Sequence, residues 1–268
     1  MQEASTLFKI IVTAFSAIAY WRAFTPPTPN AKLKHAPIDG IFGQLIRYMA
    51  FTSKVYIGSQ VTLVTFTQNV ALCLLQMLVC FSSLCQIILL WALSNPTQHH
   101  EFVHPIITTV CPNPTVTDLS KLRAQMSQFP PSLLLGYSLM ISMAILRMWC
   151  FRSLQKFFTY EITIQSSHKL IQTGPYRYVR HPSYTAQILL TGGVYIMGFS
   201  RGTWIKECQI TSGSGFYFVW SYILVSSFGM YKLYTRGDIE DRELHKAFGD
   251  EWIRYRKEVP YKFIPHVI

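Results

Sequence analysis

Gly174-Pro175-Tyr176-Arg177-Tyr178-Val179-Arg180-His181-Pro182-Ser183-Tyr184 runs without a break into the stretch 184–199, which carries no charged residue. Proline favours the first helical turn and biases the residue before it away from helical geometry, so His181-Pro182 marks the start of a helix. The free N–H groups of that helix, from about Ser183 to Thr185, and its positive dipole end then lie beside Arg180 and His181. Such an end suits an anionic ligand group. Arg177 reads first as an anchor at lipid headgroups, whereas His181, between Arg180 and Pro182, reads as a ligand contact. A second polar block, residues 236–249, follows the last apolar run, so two charged clusters flank one apolar helical pair.

Working outward, the 268-residue chain is 50% hydrophobic and only 14% charged, and the placement of the apolar residues points to a membrane. Segments 6–24, 61–93, 133–150, 184–199 and 216–234 read as spans, since helices satisfy their own backbone groups in lipid. The first holds Lys9 within the run and ends in a proline-rich stretch, not a small-residue cleavage site, so it reads as an uncleaved anchor and not a signal peptide. The second, 33 residues long, exceeds a bilayer and predicts one long tilted helix. Residues 40–56, amphipathic and basic, predict an interfacial helix. The expected fold is an all-α polytopic membrane bundle of about five transmembrane helices with a cytosolic C-terminal helical segment.

The net charge of +11 is distributed by loop. Segment 25–60 carries +3, segment 94–130 is neutral and segment 147–181 carries +5. The positive-inside rule then places both polar clusters and the C-terminus in the cytosol, with 94–130 on the lumenal side. Basic residues spread along membrane edges do not make a nucleic-acid surface.

Cys73, Cys80, Cys85 and Cys150 lie in apolar runs as small fillers. Cys111 and Cys208 both fall on the expected lumenal side, where a disulfide is permitted, but nothing in the sequence brings them together. His100-Glu101-Phe102-Val103-His104 matches the zinc pattern H-E-x-x-H. Pro105 biases His104 away from helical geometry and no third ligand follows, so the segment is expected to be a polar loop holding no metal.

In the second cluster Arg236 precedes Glu240 by four positions, which puts both on one face if the helix continues beyond the membrane. They could pair with each other. The order Gly174-x-Tyr176, Arg180-His181-Pro182-Ser183-Tyr184, Arg236, Glu240-Asp241, Leu244, Phe248-Gly249, Tyr255, Val259-Pro260 and Pro265 resembles the isoprenylcysteine carboxyl methyltransferase family. More loosely, it is similar to membrane phospholipid N-methyltransferases.

The resemblance covers about residues 130–268, which it implies are the methyltransferase catalytic core. Residues 1–129 form an N-terminal membrane region of anchor helix, interfacial helix, long tilted span and lumenal loop. The implied reaction moves a methyl group from S-adenosylmethionine to the C-terminal carboxylate of a prenylated cysteine of a protein, at the cytosolic face of the endoplasmic reticulum membrane. The implied cofactor-binding residues are His168, Lys169, Leu170, Ile171, Tyr176, His181, Pro182, Ser183, Tyr184 and Glu240, with Glu161 where the family can use glutamine. Arg236 is the implied substrate-facing catalytic residue. Asp241 departs from the family pattern, standing where a second glutamate is usual.

The chemistry is consistent with the absence of a catalytic dyad. An α-type carboxylate has a pKa near about 3.5 and is already nucleophilic at neutral pH. Methylation of a phosphatidylethanolamine amine is the alternative, and it calls for a base. A membrane protein with the pattern but no turnover is the third reading.

Overall fold

The computed structural model describes residues 2–25, 60–95, 100–158, 169–213 and 215–267, and every regular element among them is helical. The expected interfacial helix at 40–56, Glu161 and His168 lie outside the described residues. The helices are α1 (Gln2–Phe24), α2 (Gln60–Ser94), α3 (His100–Val110), α4 (Leu119–Met126), α5 (Pro131–Leu154), α6 (Pro182–Phe199), the short α7 (Trp204–Glu207), α8 (Phe216–Phe248) and α9 (Asp250–Glu258). As expected, the second apolar run is one continuous helix, 35 residues long.

Three described helices are long and apolar enough to cross a membrane, at Glu3–Phe24, Cys73–Ser94 and Pro131–Leu154. The fourth and fifth expected spans form as α6 and the first part of α8 but fall outside that set. The physical reason is their polar content. Ser183, Gln187 and Thr191 of α6 and Ser226 of α8 are buried against neighbouring helices.

The faces of α1 are reversed relative to a helix in a water-soluble protein. Thr6, Lys9, Thr13, Ser16 and Tyr20 recur at helical spacing and are all buried, while Leu7, Phe8, Ile11, Phe15 and Ile18 are exposed. Apolar side chains outward and hydrogen-bonding side chains inward suit a helix solvated by lipid. Thr13 Oγ1 lies 2.7 Å from Tyr137 Oη on α5, whereas the buried Ser16 hydroxyl has no hydrogen-bond partner among the described residues.

Helices α5 and α6 run antiparallel and approach closely through small residues. A Cβ on Gly136 would sit 2.8 Å from the Met197 backbone nitrogen, and one on Gly193 would sit 3.1 Å from the Gly136 carbonyl oxygen. Close backbone contact through glycine is how helices gain packing energy where lipid supplies no hydrophobic drive.

One end of the bundle is tied by Lys9. Its ammonium donates to the carbonyls of Met126 at 2.7 Å, Gln128 at 2.6 Å and Gly202 at 2.9 Å. Glu207 supplies the nearby negative charge and accepts from Gly202 N at 2.8 Å. At this same end Cys111 and Cys208 are joined in a disulfide, Cα to Cα 5.0 Å, across 97 residues. This settles a pairing that the sequence left open. Lys9→Met takes the donor from the Met126 and Gln128 carbonyls, leaves Gly202 O to Gln86 alone and removes the cation near Glu207, a loss of about 3–5 kcal/mol. The thermal unfolding midpoint in detergent should drop sharply; an unchanged midpoint contradicts this account of the tie.

The expected polar loop at His100–His104 is corrected: α3 is a helix with His104 and Pro105 inside it. Pro105, the sixth residue of α3, removes the hydrogen bond to the carbonyl of Glu101 and crowds that carbonyl, a cost of about 3 kcal/mol. Burial of Val103 and Ile107 and the bond from Trp204 Nε1 to the Val110 carbonyl, 2.7 Å, outweigh the local bias. Among the described residues no three His, Cys, Asp or Glu side chains group as a metal-holding set.

Candidate active site

The opposite end of the bundle, where α1 and α5 finish and α6 starts, brings the two polar clusters together. The chain enters through a 3-10 turn, Gly174–Arg177, lying against α5. Gly174 takes φ +62°, and a Cβ there would sit 2.6 Å from Ser153 Oγ, so both backbone and space call for glycine. Pro182 then begins α6 as expected, with His181 in the non-helical conformation before it, φ −125° and ψ 55°.

His181 is 3% exposed and its ring lies against α8. Nε2 is 2.9 Å from Asp241 Oδ1, and since a carboxylate only accepts, Nε2 donates. Nδ1 faces Glu240 Oε2 at 3.6 Å. Tyr184 stacks on the imidazole, centroids 5.4 Å apart and planes at 6°, and its hydroxyl donates to Glu240 Oε2 at 2.5 Å. Arg180 donates from Nε to Asp241 Oδ2 at 3.2 Å. The expected continuation of α8 beyond the apolar run is therefore what delivers Glu240 and Asp241 to the start of α6.

Burial alone would raise the Asp241 pKa. The hydrogen bond and charge of His181, followed by those of Arg180, outweigh it and hold the carboxyl below the usual carboxylate range. Asp241 is thus the inner, structural carboxylate, its side chain 14% exposed, while that of Glu240 is 33% exposed and open to a ligand.

Arg236 shares the Glu240 face but forms no ion pair with it among the described residues. Its guanidinium acts instead on Tyr184, and its Nε is buried without a hydrogen-bond partner. An unmet buried donor on a cation costs stability unless something anionic meets it.

The remaining expected positions distribute as follows. Leu170 packs on the cluster of Trp252, Tyr255 and Val259, beside the site, whereas Lys169 is exposed and Ile171 half-buried. Tyr176 is buried, and its carbonyl accepts from Tyr255 Oη at 2.8 Å. Burial, reinforced by Cys150 and Glu240, pushes the Tyr176 hydroxyl well up, so it stays protonated. Pro182 and Ser183 are buried within the start of α6.

Arg147 was counted only as loop charge by sequence, yet it is 2% exposed and supports the site from beneath. Nη1 donates to Ser183 O at 3.0 Å and Ser183 Oγ at 2.8 Å, and Nε donates to Ala23 O at the end of α1. The rings of Phe24 and Phe151 cover its guanidinium. The available signal was a lone arginine among apolar residues late in a span, which marks function more often than anchoring when it faces inward.

Residues 134–202, from α5 through the Gly174 turn and α6, match the isoprenylcysteine carboxyl methyltransferase (ICMT) family. The matched segment is the part of the chain that carries Tyr176, His181 and Tyr184. It supports a methyltransferase of the ICMT family, in keeping with the resemblance carried by the motif residues. No curated protein and no solved structure matches the chain. The segment ends before α8, so Arg236, Glu240 and Asp241 join the ICMT motif through geometry.

Proposed function

We propose that the protein transfers a methyl group from S-adenosylmethionine to the C-terminal carboxylate of a prenylated cysteine. The observation that carries this reading is the buried, unpartnered Nε of Arg236 beside the Tyr184–Glu240 pair. A carboxylate acceptor meets that donor and needs no general base.

The residues present fit S-adenosylmethionine. Glu240, held by Tyr184, faced by the His181 ring and partly open, offers a carboxylate to donor groups of a polar ligand, and Leu170 packs on the apolar cluster of Trp252, Tyr255 and Val259. When bound, this cofactor supplies an electrophilic methyl on a cationic sulfur. Arg236 holds and orients the acceptor anion, and the packed aromatic surroundings exclude water from a reaction that destroys charge. His168, Lys169, Ile171 and Glu161 keep their cofactor-binding assignment by resemblance.

The arrangement also supports the proposed topology. The disulfide lies at the Lys9 end of the bundle and the site at the other, separated by α6, 18 residues or about 27 Å long. A disulfide belongs to an oxidising compartment, and the basic loops 25–60 and 147–181 belong to the cytosol. This favours the endoplasmic reticulum membrane with the site facing the cytosol and residues 130–268 as the catalytic core.

The test supplies membranes holding the protein with labelled S-adenosylmethionine and either a farnesylcysteine analogue or phosphatidylethanolamine. Label is expected in the prenylcysteine. Label confined to the phospholipid selects the N-methyltransferase reading, and label in neither selects a protein without turnover.

A further inference from the structure

Beyond α9 the chain turns back over the site, and its carbonyl oxygens form an unbroken series of acceptors. Arg180 Nη1 donates to Val259 O at 2.9 Å and to Pro260 O at 2.6 Å. Arg180 N donates to Tyr261 O at 3.0 Å and His181 N to Lys262 O at 2.9 Å. Thr185 Oγ1 completes the series, donating to Phe263 O at 2.7 Å. Five successive carbonyls are thus spent on three residues around the start of α6.

The side chains of the same segment reach α8. Phe263 is buried, with its ring 5.8 Å from the His181 ring and 5.5 Å from that of Tyr234. Lys262 Nζ meets Asp238 Oδ1 at 2.5 Å. The two side chains fit over α8 only because residue 237 is glycine. A Cβ there would lie 2.8 Å from Lys262 Cε, 3.0 Å from Phe263 Cζ and 3.4 Å from His181 Cδ2.

On α8, Tyr234 and Asp238 face the strap, Gly237 and Asp241 face His181, and Arg236 and Glu240 face the open side. The imidazole is therefore gripped between the strap and the carboxylates. The strap sets the depth and tilt of the ring, and the ring faces Glu240 from Nδ1.

We propose that the C-terminal strap, residues 259–263, is a working part of the site: Phe263 and Gly237 are positioning residues that hold His181 so that it sets the Glu240 carboxylate toward the cofactor. This rests on the cofactor reading of Glu240 given above. Neither Phe263 nor Gly237 touches the cofactor in this account, and both act through His181.

Three variants of the full chain in nanodiscs test it: Gly237→Ala, Phe263→Ala and the double change Gly237→Ala with Phe263→Leu. A merely structural role expects the crowded methyl of Gly237→Ala to lower the thermal unfolding midpoint and the amount of active protein while leaving the cofactor KM unchanged. The proposal instead expects the cofactor KM to rise, with kcat/KM falling by up to about 100-fold for a displaced active-site group. kcat at saturating cofactor should persist, and Phe263→Ala should behave alike. The shorter leucine in the double variant makes room for the new methyl and should restore much of the loss.

Histidine side-chain NMR resonances read the ring directly, and those of His181, assigned with a His181→Gln control, should move in Gly237→Ala. The Glu240→Gln variant separates the two claims. If its cofactor KM rises while Gly237→Ala and Phe263→Ala keep wild-type KM and resonances, the strap proposal is overturned and the cofactor reading survives. If the resonances move yet KM stays level in all three, the grip on His181 is real but the cofactor reading fails, and the proposal fails with it.

Discussion

Arg236→Ala is expected to abolish carboxyl methylation while leaving S-adenosylmethionine binding measurable. The argument is electrostatic. Nε of Arg236 is buried and unpartnered, and the acceptor carboxylate must enter a site where water cannot replace the guanidinium. Leaving one charge of such a pair alone costs about 3–5 kcal/mol, or roughly 100- to 1000-fold and more in rate. In the proposed reading the cofactor is held chiefly from Glu240, one turn along α8, so its affinity should fall far less. Label incorporation into a prenylcysteine analogue and calorimetric titration with the cofactor measure the two effects. Turnover within about twofold of wild type would remove Arg236 from the mechanism.

Glu240→Ala is expected to act in the opposite sense, on the cofactor first. The carboxylate accepts from Tyr184 and stands over the His181 ring, and its remaining surface is open. Hydrogen bonds to a charged group contribute about 1.5–3 kcal/mol each, so the cofactor dissociation constant should rise about 10- to 100-fold. Glu240→Gln keeps an oxygen that can accept from Tyr184 but loses the charge, and should fall between the two. An unaltered dissociation constant in Glu240→Ala would place the cofactor elsewhere.

Much of this arrangement was legible because its signals are local. Pro182 announces the start of α6, and the four-residue spacing of Arg236 and Glu240 gives a shared face once α8 runs on. The continuity of α2 follows from an uninterrupted apolar run. What sequence could not supply was contact between distant segments. The partners of Lys9, the Cys111–Cys208 bond and the two carbonyls and one hydroxyl that Arg147 of α5 reaches on α1 and α6 are all set by packing.

The same limit explains the misread loop at His100–His104. Pro105 carries a helix-breaking bias, yet burial of Val103 and Ile107 retains α3 as a helix. Segments 184–199 and 216–234 form helices where the sequence puts spans, and their inward Gln, Thr and Ser residues lower the mean hydropathy of those helices. The backbone strap from Val259 to Phe263 is the extreme case, since carbonyl acceptors carry no sequence signature at all.

Alkaline hydrolysis of the product tests the central claim most directly. Purified protein is given S-adenosylmethionine labelled in its methyl group and a farnesylated cysteine, and the isolated product is treated with base. A methyl ester releases its label as volatile methanol, whereas a methylated amine retains it, so the account predicts volatile label dependent on Arg236. Label that stays with the lipid after base, or no transfer at all by folded protein, contradicts it.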